Sequence, residues 1–382
     1  MNYLLYILVA LTPFIITDSL WNYSNLPKTL FIQNGVILLA VVFFWKRKFK
    51  DITVSKTLIA CTLFLAWAGL SIFWAINKYE AVVIFTHWVI CGMFLFLVHN
   101  LSINRIVIFT IVFVTAWIVT LIGLGQHFFQ LDWVLQSVGP ASTFANRNAT
   151  GAYILMAMPL GVGLMASVYQ RRFRSAYQQR FKKWDIGLLF LVGILSIAIA
   201  SMVMFMYVGN CRLGMVGIAV LGSYYLIKYF RKMNRPLLGV LIVTLFLSGA
   251  FHIKPDFFDE GSEVKIERLW NTVEIIKKHP IAGVGVGNFK VHYDKYSLMK
   301  LNTNDAHNDY VQVVCELGII GAYLAFLVIL YAFQGAFKKC DVYSTSLKAG
   351  LGAFMVVAMF FFPMSMAVDP FICALYLGML KV

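Results

Sequence analysis

Long apolar runs recur along the entire chain, and they constrain its fold more than any other feature. Each run extends for roughly 15 to 25 residues, about the length that an α-helix needs to cross a bilayer. The 382 residues are 60% hydrophobic and 13% charged, with a mean hydropathy of +0.79. A soluble domain carries about a quarter charged residues. The sequence therefore predicts an all-α integral membrane protein.

The runs predict about twelve transmembrane helices in a single polytopic domain that covers residues 1–382. The predicted spans lie near 3–18, 30–45, 57–75, 81–99, 106–126, 150–168, 186–207, 213–229, 237–251, 313–333, 347–362 and 367–380. With the amino terminus inside, 19 of the 32 Lys and Arg fall in the cytoplasmic loops 46–56, 100–105, 169–185, 228–236 and 334–348. This distribution follows the positive-inside rule and places both termini in the cytoplasm.

The net charge of +15 could indicate a nucleic-acid partner, but the predicted topology explains most of it. We expect membrane lipid and no nucleic acid among the partners. The external loop 252–312, between the ninth and tenth spans, carries 8 Lys and Arg and 9 of the 17 Asp and Glu. Ionisable chemistry is therefore concentrated on the external face.

Residues 264–279 of that loop have the periodicity of an amphipathic helix, which Pro280 ends. Leu269 and Trp270 belong to its apolar face, and we expect this face to lie over the bundle as a lid. The full apolar face consists of Ile266, Leu269, Trp270, Val273 and Ile276, and the polar residues Glu267, Arg268 and Glu274 point away from it.

A glycine-rich segment, Gly283–Phe289, follows the helix. It resembles a nucleotide-binding loop, but it follows a helix and a proline where such a loop follows a β-strand. The better interpretation is a tight turn whose backbone approaches a neighbouring segment or a ligand.

A histidine and a polar stripe precede the tenth span. Asn308, Gln312 and Glu316 are spaced i, i+4 and i+8, so they share one face of a helix, and His307 stands just before them. A titratable group at the mouth of a membrane helix is a candidate functional residue. The alternative is an ordinary helix start capped by Asp305, with the polar side chains among lipid headgroups, and both remain open.

Three arginines on the same predicted face are candidates for phosphate recognition. Arg212 stands at the external end of the eighth span, Arg268 on the loop helix and Arg147 in the other external loop. The guanidinium fork matches a phosphate bidentately and is always charged. The alternatives are a snorkelling side chain for Arg212, a surface ion pair with Glu267 or Glu274 for Arg268, and a loop charge for Arg147.

Several motifs together resemble the O-antigen ligase and polymerase superfamily. The segment His307–Gly321, with its HN-D-Y-x-Q-x-x-x-E-x-G-x-x-G pattern, is similar to the signature of that family. Arg268-Leu269-Trp270 followed by Lys278–Phe289 resembles its large periplasmic loop. The family's N-x-N element corresponds to Asn146-Arg147-Asn148, and Arg212 matches an arginine that opens a helix, although Cys211 stands before it where the family often has Ser.

The resemblance implies a GT-C-like bundle in the bacterial inner membrane, with its site on the periplasmic side. His307 would activate an acceptor hydroxyl, and Arg212, Arg268 and Arg147 would bind the pyrophosphate of an undecaprenyl-pyrophosphate glycan donor. The supporting or sugar-binding residues would be Asn308, Gln312, Glu316, Asn146 and Asn148. No cofactor and no metal are expected, because arginines can supply the charge stabilisation.

Among members of the superfamily, a single dominant external loop favours a ligase that acts on lipid A-core. A polymerase that extends another carrier-linked glycan and a protein O-oligosaccharyltransferase remain the alternatives. A transporter of lipid-linked glycans is less favoured, because the predicted spans hold almost no ionisable residues and show no inverted repeat. A non-catalytic assembly subunit is disfavoured by the joint presence of His307, Arg212 and Arg268.

Overall fold

The computed structural model describes residues 1–20, 22–46, 52–131, 134, 136–178, 186–232, 262–296, 305–334 and 341–380. Within these ranges the backbone forms α-helices, and strand-like pairing is confined to one bridge between Val138 and Asn146. The helices are α1 Asn2–Leu11, α2 Asn25–Lys46, α3 Lys56–Ser71, α4 Lys78–Asn100, α5 Arg105–Phe129, α6 Arg147–Gln178, α7 Ile186–Val208, α8 Arg212–Lys232, α9 Ser262–Lys278, α10 Phe289–Tyr296, α11 Asp309–Phe333, α12 Val342–Ala358 and α13 Val368–Met379.

Six of the described helices are long and apolar enough to cross a membrane, which supports the predicted all-α membrane class. They are α2, α4, α5, the Arg147–Val168 part of α6, the Phe190–Val208 part of α7, and α11. The apolar helices at Asn2–Phe14, Lys56–Ser71, Val342–Ala358 and Val368–Met379 are shorter. The predicted span 237–251 lies outside the described residues, so the count of twelve remains a prediction.

Side-chain caps fix where several helices begin. Ser55, Asn77, Asn104, Asn308 and Asp341 each accept a hydrogen bond from a backbone N–H in the first turn of the helix that follows. Such caps satisfy donors that the helix itself leaves without a partner. The predicted first span, 3–18, is longer than its helix, because α1 stops at Leu11 and the chain continues as a short 3-10 turn that includes Pro13.

The α2–α3 connection, the α4–α5 connection and the start of α12 lie at one end of the bundle. The backbone N–H of Thr53 donates to Asn100 Oδ1 at 2.7 Å, and Arg105 pairs with Asp341 at 2.8 Å. We call this the basic end, because the predicted cytoplasmic loops begin here.

The opposite end, called the site end below, comprises residues 12–28 except 21, 71–80, 136–150, 279–289, 305–312 and 359–369. Hydrogen bonds between segments that are distant in sequence hold it together. The buried Lys28 ammonium donates to Thr143 O at 2.6 Å, and Asn25 Oδ1 accepts from the Ala367 N–H at 2.7 Å. Asn288 Oδ1 accepts from the Asn77 N–H at 2.7 Å. The site end is therefore built from six separate stretches of sequence.

Candidate functional site

Helix α11 is broken at Gly318, and this break shapes the site. Gly318 has φ 66° and ψ −169°, outside the helical region. A Cβ at this position would lie 2.1 Å from Ile281 O, so only glycine fits here. The break removes the helical hydrogen bonds that the carbonyls of Cys315, Glu316 and Leu317 would otherwise accept.

The glycine-rich segment supplies the missing partners. The N–H groups of Val284 and Gly285 donate to the carbonyls of Cys315 and Glu316, at 3.0 and 2.8 Å. On the other side of the break, the Ile319 N–H donates to Pro280 O at 2.9 Å. The indole N–H of Trp67 donates to Leu317 O at 2.9 Å. The predicted tight turn is thus confirmed, and the neighbour that its backbone approaches is the broken helix.

The Glu316 carboxylate completes this junction. Its side chain is 2% exposed, and its two oxygens accept from the N–H groups of Gly287 at 2.7 Å and Phe289 at 3.4 Å. Gln312 donates to the same carboxylate at 3.3 Å. Glu316 therefore holds the glycine-rich segment against α11, a positioning role that the sequence pattern alone did not indicate.

The other members of the polar stripe position the start of α11. Asn308 caps the helix by accepting from the Val311 N–H at 3.1 Å, so the cap at Asp305 that belonged to the alternative interpretation is not observed. Asp305 instead accepts from Ser365 Oγ at 2.7 Å. Gln312 Oε1 accepts from the Ala306 N–H at 3.0 Å. These bonds fix the backbone on both sides of His307.

His307 is held in the left-handed region, with φ 54°. A side chain other than glycine seldom adopts this conformation, and such strain clusters at functional sites. The partly buried ring packs edge-on against Phe362, with 4.8 Å between the ring centroids. Asp305 lies two residues before His307, and burial raises the pKa of its carboxyl group above the ordinary value. Hydrogen bonds from Ser365 and Gln312 offset only part of this increase.

A cavity of about 910 Å³ opens next to the start of α11. His307 is not one of its lining residues, but the His307 ring contacts Phe362, which is. Asp305, Asp309 and Phe362 line the cavity, so the residues around His307 in sequence and in space form part of its wall. Asp309 is buried and accepts from the Met364 N–H at 2.9 Å. Among the described residues, no three His, Cys, Asp or Glu side chains are close enough together to hold a metal ion.

Arg268 lies near this cavity, on a helix face that differs from the prediction. Thr272 and Ile275 are fully buried where α9 packs against α10 and α11, whereas Leu269 and Trp270 are 46% and 63% exposed. The predicted apolar face is therefore not the packing face. A membrane protein presents apolar side chains to lipid as well as to its own core, so an apolar face does not identify its neighbour.

The guanidinium of Arg268 is poorly satisfied by the described residues. Its Nε is buried without a hydrogen-bond partner among them, and its charge lowers the pKa of Asp305. The alternative of an ion pair with Glu267 or Glu274 is not observed, since Glu274 pairs with Lys277 at 2.6 Å and one buried Glu267 oxygen has no partner in the described part.

Arg147 and Arg212 each occupy the first position of a helix, α6 and α8. Arg147 is therefore not a loop charge. A hydrogen bond links the starts of the two helices: Sγ of Cys211, the residue before Arg212, donates to Arg147 O at 3.1 Å. Burial raises the pKa of the Cys211 thiol to about 12, and the Arg147 charge opposes that change. Two helix N-termini and two guanidinium groups concentrate positive charge beside residues 146–150 of the site end.

Asn146 and Asn148 belong to the turn that leads into α6. Asn146 Oδ1 accepts from the Asn148 N–H at 2.8 Å, and both side chains are partly buried. The loop before them is anchored by Gln126, whose amide pairs with Ser142 N and O at 2.6 and 3.2 Å. This anchoring sets the position of Arg147, while sugar binding by either asparagine remains a prediction.

Sequence reasoning missed most of the cavity wall. Asn22, Asn25, Thr29 and Gln33 line it from one face of α2 and the segment before it, and Asn77, Glu80 and His87 line it from α4. The signal was present, because polar residues at helical spacing within apolar runs indicate a functional surface. Lys28, Lys348 and Asp369 are buried in helices as well, each outside or at the edge of a predicted span.

The structure brings His307, Asn308, Gln312 and Glu316 together at the start of α11, with Arg268 near Asp305. A comparison with curated proteins finds no match. A family model described as O-Antigen ligase matches residues 197–326, about a third of the chain, which includes Arg212, Arg268 and His307. Residues 197–326 are thus similar to an O-antigen ligase domain, which supports the superfamily that the sequence motifs resemble.

Proposed function

We propose that this protein transfers a glycan from undecaprenyl pyrophosphate to an acceptor hydroxyl on the periplasmic face of the inner membrane, as an O-antigen ligase acting on lipid A-core. The proposal rests chiefly on His307, which lies within the matched domain in a strained backbone conformation, with its ring against Phe362 in the wall of a large cavity. Arginines at the same end of the bundle supply the positive charge that a pyrophosphate requires.

The reaction follows from these groups. A ring nitrogen of His307 takes the proton of the acceptor hydroxyl as its oxygen attacks the anomeric carbon of the donor sugar. The bond between that carbon and the pyrophosphate oxygen breaks, and the electron pair leaves with undecaprenyl pyrophosphate. Arg147, Arg212 and Arg268 stabilise the negative charge that develops there. In this proposal the arginines provide the charge stabilisation that a metal ion would otherwise supply.

Asn308 and Gln312 support the base by fixing the backbone around His307, and Glu316 fixes the glycine-rich segment. Each of these side chains is already engaged with backbone groups. Their contribution is therefore to hold His307 in place within a few tenths of an ångström, which is what efficient proton transfer requires.

An in vitro transfer assay tests the proposal. Purified protein would receive an undecaprenyl-pyrophosphate glycan with EDTA present, and lipid A-core, a second carrier-linked glycan and a Ser-containing peptide would be offered separately. We expect product on lipid A-core and a loss of roughly 10²- to 10⁴-fold in rate for His307→Ala. His127→Ala, which alters an exposed histidine at the site end of α5, should transfer normally.

The acceptor that yields product also decides between members of the superfamily. Product only on the carrier-linked glycan or only on the peptide would replace the ligase by a polymerase or a protein oligosaccharyltransferase. Absence of product on all three acceptors, with donor bound, would favour transport of the lipid-linked glycan. Normal transfer by folded His307→Ala protein would remove the base assignment.

A further inference from the structure

The cavity next to the start of α11 has a chemical character of its own, which the proposed reaction does not explain. It lies between α2, α4, α10 and α11, and residues 362–366 close one side. Along α2 it extends from Asn25 to Gln33, about 12 Å at the helical rise. Its volume of about 910 Å³ falls in the range of pockets that enclose an organic ligand.

The wall is acidic, although the chain as a whole is strongly basic. Its lining residues include five carboxyl groups, one lysine, Lys290, and one histidine, His87. The carboxyl groups are those of Glu80, Asp294, Asp305, Asp309 and Glu316. Glu80 and Asp294 are the two exposed members of this group. A pyrophosphate would meet like charge here, which costs binding energy instead of supplying it.

The remaining lining groups favour hydroxyl-rich ligands. Five carboxamides line it, those of Asn22, Asn25, Gln33, Asn77 and Gln312. Both ends of the Asn25 and Gln312 amides are bonded within the protein, and Gln33 is a carboxamide on the α2 wall that can supply both a donor and an acceptor. Carboxylates accept hydrogen bonds from hydroxyl groups. Trp88 and Phe362 add flat apolar rings, which suit the C–H faces of a sugar ring. A second indication is that Nδ1 of His87, a lining residue, is buried without a hydrogen-bond partner in the described part of the chain.

We propose that this cavity binds the acceptor saccharide and selects one that carries no carboxylate, sulfate or phosphate on the rings that enter it. The inference rests on the proposed transferase function, since it brings the attacking hydroxyl to the wall at Phe362, whose ring contacts His307. The pyrophosphate binds among the arginines, and the acidic cavity is left for the partner that brings hydroxyl groups. Neutral and amino-bearing saccharides fit this wall, and uronic acids do not.

Saturation-transfer NMR on the full-length protein in lipid nanodiscs tests the selection. The probes are a neutral hexose trisaccharide and the same trisaccharide with one hexose replaced by its uronic acid. We expect the neutral probe to bind at least tenfold more tightly. The double variant Glu80→Gln/Asp294→Asn should shrink this ratio toward one, because it removes two exposed charges and preserves the size of both side chains. Equal binding of the two probes by the wild type would overturn the proposal.

A matched pair of variants locates the bound probe. Gln33 lines the cavity, whereas its neighbour Asn34 is exposed and donates to Leu30 O at 2.8 Å. Gln33→Ala should weaken binding of the neutral trisaccharide several-fold, and Asn34→Ala should leave it unchanged. Binding that is insensitive to Gln33→Ala and to the double variant would place the saccharide elsewhere and refute the inference.

Parallel transfer assays separate this inference from the proposed function. Transfer that depends on His307 with no preference for the neutral trisaccharide would leave the transferase intact and refute the acceptor cavity. Selective binding at Gln33 without transfer to any acceptor would refute the transferase function, and with it the assignment of the bound saccharide as an acceptor.

Discussion

Arg147 and Arg212 each stand where the helix dipole disfavours a cation, at the first residue of α6 and α8. An anionic ligand offsets that cost, which is the physical reason to place the pyrophosphate there. Arg212→Ala should lower the transfer rate by roughly 10²- to 10³-fold, as loss of one stabilising donor does. Arg212→Lys should recover only part of it, because lysine lacks the bidentate fork. Steady-state transfer with saturating acceptor measures both.

Arg105 provides the matched control for this prediction. It also opens a helix, α5, but lies at the basic end and pairs with Asp341 on the surface. Arg105→Ala should transfer at the wild-type rate. If Arg105→Ala lost as much activity as Arg212→Ala, the effect would be general destabilisation of the bundle, and the pyrophosphate assignment would fail.

Asp305 gives a prediction about stability and pH. Burial raises its pKa in the native protein, so the folded state keeps this proton to higher pH than the unfolded chain does. The free energy of unfolding therefore increases as the pH falls from above the native pKa of Asp305 toward the ordinary pKa of a carboxyl group. Asp305→Asn cannot titrate, so the melting temperature of wild type minus that of the variant should rise as the pH is lowered from neutral toward the ordinary pKa of a carboxyl group. A difference that stays constant across that range would contradict the raised pKa.

Among the elements, the broken helix α11 and the glycine-rich segment depend on each other. Gly318→Ala places a Cβ 2.1 Å from Ile281 O and forces alanine into the left-handed region. The backbone strain alone costs about 1–3 kcal/mol. We expect a lower melting temperature and impaired transfer, since the segment 280–289 must move. Thermal unfolding in detergent and the transfer assay measure the two effects.

Gly352 in α12 is the control glycine for that change. No atom lies within 4 Å of a Cβ built there, and its backbone is helical. Gly352→Ala should stabilise the protein by about 0.5–1 kcal/mol, because alanine loses less backbone entropy than glycine in a helix. Equal melting temperatures for Gly318→Ala and Gly352→Ala would show that position 318 accepts a Cβ without strain.

The helices themselves were largely predictable, whereas the contacts between them were not. The predicted span 81–99 lies within α4, and 313–333 lies within α11, because long apolar runs leave the backbone no other partner than itself in a membrane. The break at Gly318 could not be predicted, since it exists only because residues 280–285 supply the hydrogen bonds that α11 gives up. The buried face of α9 was predicted wrongly for the same reason. Its packing against α10 and α11 decides which face is buried.

For the molecule as a whole, the sequence motifs identified His307 and its polar stripe but not the acidic cavity. The motif residues are contiguous, so their pattern is visible without a structure. The cavity collects Gln33, His87 and Asp294 from three helices. No pattern in the sequence shows that α2, α4 and α10 surround one space, which is a matter of packing.

Orientation in the membrane is a property of the whole molecule and has a direct test. The two ends of the bundle differ in charge, and the positive-inside rule places the basic end in the cytoplasm. In a background without the six native cysteines, Ser137→Cys and His279→Cys at the site end should react with a membrane-impermeant maleimide in intact cells. Val54→Cys and Ser102→Cys at the basic end should react only after the inner membrane is opened. The four positions carry exposed or loop residues, so access decides the labelling. The reverse pattern would place His307 in the cytoplasm, where a periplasmic acceptor could not reach it.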